Sequence, residues 1–105
     1  MMEVRVTTLH GSIPESLNDH AARLALRLER LGLRASTMTV NFEQVNGIRT
    51  VEARLSTAGA PPMVGKGTGP TYRNALNEAV DRIERQIKRT RERRRQGRRA
   101  IAARD

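Results

Sequence analysis

Arg82, Arg85, Arg89 and Arg93 recur at i, i+3, i+7 and i+11. On a helix that spacing keeps returning to one side of the cylinder, so the four side chains form a stripe about 16 Å long. A guanidinium is planar, permanently charged, and donates in a fork that matches phosphate oxygens. A row of them can track a phosphate backbone. Lys88 adds a further cation in the same stretch. Arg23, Arg27 and Arg30 repeat the arrangement at i, i+4 and i+7. Two bland explanations compete. Cations near a helix C-terminus complement its dipole, which accounts for the last turn but not for Arg82 and Arg85, which start the stripe mid-helix. Around Arg23–Arg30, Asp19 and Glu29 stand close enough to pair with the arginines.

The charge distribution sharpens the reading. The chain carries +9, yet residues 1–81 hold nine basic and eight acidic side chains and contribute only +1. Residues 82–105 hold ten Arg and Lys88 against Glu84, Glu92 and Asp105, and contribute +8. A cationic rod on a balanced domain points to a polyanion, most often nucleic acid. Solubility alone asks for less. Phe42 and Tyr72 are the only aromatic residues. That speaks against stacking on single-stranded bases, which needs several aromatic platforms. Tyr72 is expected to pack at the start of a helix.

Other chemistries find little support. There are no cysteines, hence no disulfide, thiolate nucleophile or cysteine metal site. His10 and His20 lack spaced partners for a metal. His10 fits a turn and His20 an exposed helix edge. Ser12, Ser16, Ser36 and Ser56 have no nucleophile motif around them, and the carboxylates are scattered. No enzyme activity, cofactor, metal or small-molecule substrate is expected. Gly65-Lys66-Gly67-Thr68-Gly69 suggests a phosphate cradle but lacks the Walker spacing and ending. It reads as a flexible strand-to-helix turn. No apolar run approaches the roughly 18 residues of a membrane span, and no secretory segment is present, so a cytoplasmic protein is expected.

These side chains must be positioned by a single domain, since 105 residues support one modest core. Glu3–Leu9 alternates, with Val4, Val6 and Thr8 on one face, and predicts a strand. A helix follows, with Leu17, Ala21, Leu24, Leu28 and Leu31 at helical spacing. Pro14 suits its first turn, Ser12 and Glu15 are spaced for a capping box, and Gly32 is placed to end it. Thr37–Val45 and Ile48–Thr57 alternate around Asn46-Gly47, a strong hairpin signal. Met38, Val40, Phe42, Val51, Ala53 and Leu55 would face inward. Met63–Lys66 is a short last strand, and Gly67–Pro70 a break. From Thr71 to Arg95 the period is helical, with Leu76, Ala79, Val80, Ile83 and Ile87 as its apolar stripe. Gln96-Gly97 is expected to end that helix. The predicted fold is α+β, in the order β-α-β-β-β-α, with one four-stranded sheet and two helices packed on one face. The division is residues 1–95 as the folded domain and 96–105 as a basic, disordered tail.

The segment Ala75-Leu76-Asn77-Glu78-Ala79-Val80-Asp81-Arg82-Ile83-Glu84-Arg85-Gln86-Ile87-Lys88-Arg89 closely resembles the last-helix signature of the ribosome hibernation-promoting factors, the protein Y family, once described as sigma-factor modulation proteins. Arg27-Leu28-Glu29-Arg30 matches the basic end of that family's first helix. The element order agrees, and the resemblance covers about residues 2–95. It implies a protein that binds the small ribosomal subunit and its rRNA, in the channel used by messenger and transfer RNA. It also implies translation regulation: silencing of idle ribosomes under stress. The family's basic positions fall on Arg27, Arg30, Arg82, Arg85, Arg89 and Arg93; Arg23 and Lys88 are added from their place on the helices. The family usually has Tyr where this chain has Arg73, with Tyr72 one place earlier. Long members carry a second domain that dimerises ribosomes. This chain stops at Asp105 and resembles the short members, so no built-in dimerisation domain is expected.

Two other functions compete. A double-stranded RNA-binding domain shares a β-β-β-α core, but concentrates lysines at the start of its last helix. Here Pro70-Thr71-Tyr72-Arg73-Asn74 supplies one basic residue. A regulator whose basic helix docks an acidic protein is the third reading.

Overall fold

The computed structural model describes residues 2–9, 12–32 and 34–103, so His10 lies outside the described residues. The elements are β1 (Glu3–Thr8), α1 (Glu15–Glu29), β2 (Ala35–Val45), β3 (Ile48–Thr57), β4 (Met63–Gly69) and α2 (Tyr72–Ala103). They form one sheet in the order β1-β2-β3-β4. β1 runs parallel to β2, and the two following pairs are antiparallel. The parallel pair requires a crossover, and α1 supplies it. The β2–β3 turn has φ of 51° at Asn46 and 78° at Gly47. Positive φ at both central residues is what a two-residue hairpin with the right twist demands.

Alternation does what the sequence predicts. Met38, Val40, Phe42, Val51, Ala53 and Leu55 are buried on one sheet face. Both helices cover that face, with Leu17, Ala21, Leu24 and Leu28 of α1 and Leu76, Ala79, Val80, Ile83 and Ile87 of α2 in the same core. The other sheet face is polar. There Glu52 pairs with Arg54 and Lys66, each at 3.7 Å.

Three local expectations are corrected. The Ser12–Glu15 capping box does not form, because Pro14 itself is the N-cap residue and no side chain caps the helix. Ser12 stands two residues further out. The Pro14 carbonyl instead accepts from the Leu17 and Asn18 amides. At the other end α2 does not stop at Gln96-Gly97 but continues to Ala103. Glycine mid-helix costs about 1 kcal/mol, which the flanking helix-forming arginines and glutamine offset.

The third correction concerns β4, which runs through Gly65 and Gly67 to Gly69 rather than ending at Lys66. The glycines are there for proximity. A Cβ at Gly65 would lie 2.1 Å from the Ala79 carbonyl oxygen, and one at Gly67 would lie 2.0 Å from that of Ala75. Two missing side chains on the strand meet two alanines on the helix. α2 therefore seats closely on β4, and its rotation about its own axis is fixed. Gly65–Gly69 is thus a sheet strand, not a flexible turn or a phosphate cradle.

Candidate nucleic-acid interface

α2 is held on both flanks, and the two flanks differ. Toward α1, the Asn77 Oδ1 lies 2.7 Å from His20 Nε2, and Asp81 and Glu84 accept from Arg27 at 3.0 and 3.4 Å. His20 is therefore a half-buried member of the seam between the helices, not an exposed edge. Toward β4, Arg82 Nη1 donates to the Lys66 carbonyl and Gln86 Nε2 to the Val64 carbonyl, each at 2.8 Å. Arg82 also pairs with Glu78 at 2.8 Å.

These contacts place the predicted residues. Arg82, Arg85, Arg89 and Arg93 are all exposed. By helical periodicity their stripe lies roughly a third of a turn from the seam, on the β4 side. The helices do pack side by side, but the stripe of α2 does not face α1. Lys88 falls outside the stripe, on the seam side, 3.9 Å from Glu84. Arg23, Arg27 and Arg30 are exposed on α1. Arg27 is the one turned onto the seam. Its charge is matched there by Asp81 and Glu84, in a half-exposed ion pair of a kind worth at most about 1 kcal/mol. The two arginine sets are thus two surfaces, parted by a charge-balanced seam.

Among the described residues neither Asp19 nor Glu29 pairs with an arginine of α1. Glu29 accepts from the Met2 backbone amide, and Asp19 joins no salt bridge among the described residues. Among those residues Arg23, Arg30, Arg85, Arg89 and Arg93 have no carboxylate within 4 Å. Unmatched guanidinium groups on two helix surfaces leave their donors to solvent or to an anionic ligand.

Three residues outside the predicted set, Tyr72, Arg49 and Arg73, shape the site. Tyr72 packs edge-on against Phe42, ring centroids 5.3 Å apart, with the Arg49 guanidinium 5.7 Å from its ring centre. Arg49 also donates to the Pro70 carbonyl at 2.8 Å. With Tyr72 turned into the core, Arg73 is exposed and lines one open depression with Arg23, Arg27 and Arg30. The Tyr72-Arg73 departure noted in the sequence was the available signal for it.

Comparison with known proteins decides the family. The family described as Sigma 54 modulation protein / S30EA ribosomal protein matches residues 4–95. The chain belongs to this family. It is the hibernation-factor family that the last helix resembles, and its members are ribosome-associated modulation proteins. The fold is shared with a ribosomal subunit interface protein from Coxiella burnetii, at 12% identity and a TM-score of 0.75, covering 87% of this chain and 99% of that one. It is shared equally with the N-terminal domain of Protein Y from Thermus thermophilus, at 20% identity and a TM-score of 0.73, covering 86% and 99%. No curated protein matches the chain. Among the described residues no helix is long and apolar enough to cross a membrane.

Proposed function

We propose that this protein binds the small ribosomal subunit through its rRNA, occupies the channel used by messenger and transfer RNA, and silences idle ribosomes under stress. It acts in the cytoplasm, where ribosomes are. The observation that carries this reading is the run Arg85, Arg89 and Arg93: exposed, without acidic partners among the described residues, and held in one line by a helix locked onto β4. Membership in a ribosome-associated family supports it, as does the name of the subunit interface protein that shares the fold. The contact residues on this reading are Arg85, Arg89 and Arg93, with Arg82 and Lys88 beside them, and Arg23, Arg27 and Arg30 on the second surface.

Inhibition on this mechanism is occupancy. A ligand that fills the same site raises the inhibitor's apparent dissociation constant and leaves the RNA intact. Sucrose-gradient sedimentation with purified subunits tests it directly. The protein is expected in the small-subunit peak, and loading the subunits beforehand with messenger RNA and initiator transfer RNA is expected to displace it. Unchanged binding to loaded subunits would place the site elsewhere.

A further inference from the structure

Arg73 stands at the first turn of α2, yet it does not belong to the α2 stripe. It projects to the seam side and shares an open depression of about 510 Å³ with Arg23, Arg27 and Arg30 of α1. Arg27 is held by Asp81 and Glu84. Arg23, Arg30 and Arg73 have no carboxylate within 4 Å among the described residues. Leu26, exposed at 48%, lies on the wall. Three unmatched cations around a shallow hollow with one apolar wall suit a phosphodiester flanked by a sugar or base edge.

We propose that Arg73, together with Arg23 and Arg30, forms a second RNA-phosphate site, separate from the α2 stripe. This rests on the reading of the protein as an rRNA binder. The hollow owes its third cation to a shift of one residue. Tyr72 turns inward onto Phe42, so the next position is free to carry charge. The charge-balanced seam of Arg27, Asp81 and Glu84 lies between hollow and stripe. One phosphate strand cannot follow both surfaces without crossing carboxylates, so two separate RNA segments are engaged.

The test uses the full chain and purified small subunits, titrated across a salt series. Arg73→Ala should make the slope of log affinity against log salt shallower by about 0.7 to 0.9, one phosphate contact. Arg73→Lys should restore it, because the contact is one of charge. An Arg73→Ala slope equal to wild type would overturn the proposal while leaving the ribosome reading intact. Should the wild-type chain fail to bind subunits, that reading falls, and a fluorescent single-stranded RNA oligonucleotide decides the hollow by itself. Amide shifts at Leu26 and Arg73 on adding the oligonucleotide support the site. Shifts confined to Arg85–Arg93 overturn it.

Discussion

Arg82 illustrates how one side chain carries two duties. It lies in the cationic stripe, but its guanidinium is already bonded to Glu78 and to the Lys66 carbonyl. Among the described residues Arg85 and Arg89 have no such ties. The clean probe of the stripe is therefore Arg85→Glu with Arg89→Glu. Both positions are exposed, so circular dichroism and melting should match wild type. Affinity for small subunits should fall by at least about 2 kcal/mol in a binding titration, since two charge-assisted contacts are lost. Glycines offer the opposite contrast. Gly67→Ala would press a Cβ to 2.0 Å from the Ala75 oxygen and 2.8 Å from the Ala79 amide nitrogen, both backbone atoms. Strand and helix would have to separate. We expect a loss of about 2 kcal/mol, seen as a melting temperature lower by about 10 °C. Gly97→Ala meets nothing within 4 Å. It should raise helicity measured by circular dichroism and leave the melting temperature unchanged.

At the scale of elements, β4 is an edge strand, and an edge invites pairing with another chain. The Val64 and Lys66 carbonyls belong to alternate residues, so both point the same way, away from β3. Gln86 and Arg82 reach around from α2 and occupy them. Removing both donors in an Arg82→Ala, Gln86→Ala double variant should expose the edge. Sedimentation velocity at increasing protein concentration is expected to show self-association of that variant and a monomer for Arg85→Ala. The strand itself was the element least legible in the sequence. Its glycines serve a close helix contact, and pattern reading assigns such a cluster to a turn, because nothing local reports what lies across the interface. β2, β3 and both helices were legible, since alternation and helical period record burial directly. The candidate site was half legible. Periodicity put Arg82, Arg85, Arg89 and Arg93 on one side of α2. It could not show that α1 lies on the other side, nor that Arg27 would be matched by Asp81 and Glu84. Those facts depend on which flank of α2 meets its neighbour, and the Gly65–Ala79 and Gly67–Ala75 contacts set that.

For the whole molecule, the charge asymmetry governs binding more than any one contact. A domain that neutralises roughly six phosphates should show a log–log salt slope near −4 to −5 with small subunits, taking the value for single strands as a guide. The +8 carried by residues 82–105 motivates the number. A slope near zero in the same titration would remove the phosphate mechanism. Saturating transfer RNA should compete with the protein, and the rRNA recovered afterwards should be intact on a denaturing gel.

α2 is 32 residues long, about 48 Å, in a molecule whose longest extent is 59 Å and whose shortest is 19 Å. The core stripe ends at Ile87, and from Glu92 onward every residue whose side chain is described is exposed. The described side chains of this outer part thus add no burial to hold the helix. Fraying there costs little compared with opening the core. Arginine is also the residue after which trypsin cuts. Brief digestion should therefore trim the chain near Arg91–Arg95 and leave a folded remnant that still melts cooperatively. Such trimming would remove much of the chain's positive charge without touching its core. A rod shielded by RNA would resist the cut, so the rate of clipping measures occupancy without any label.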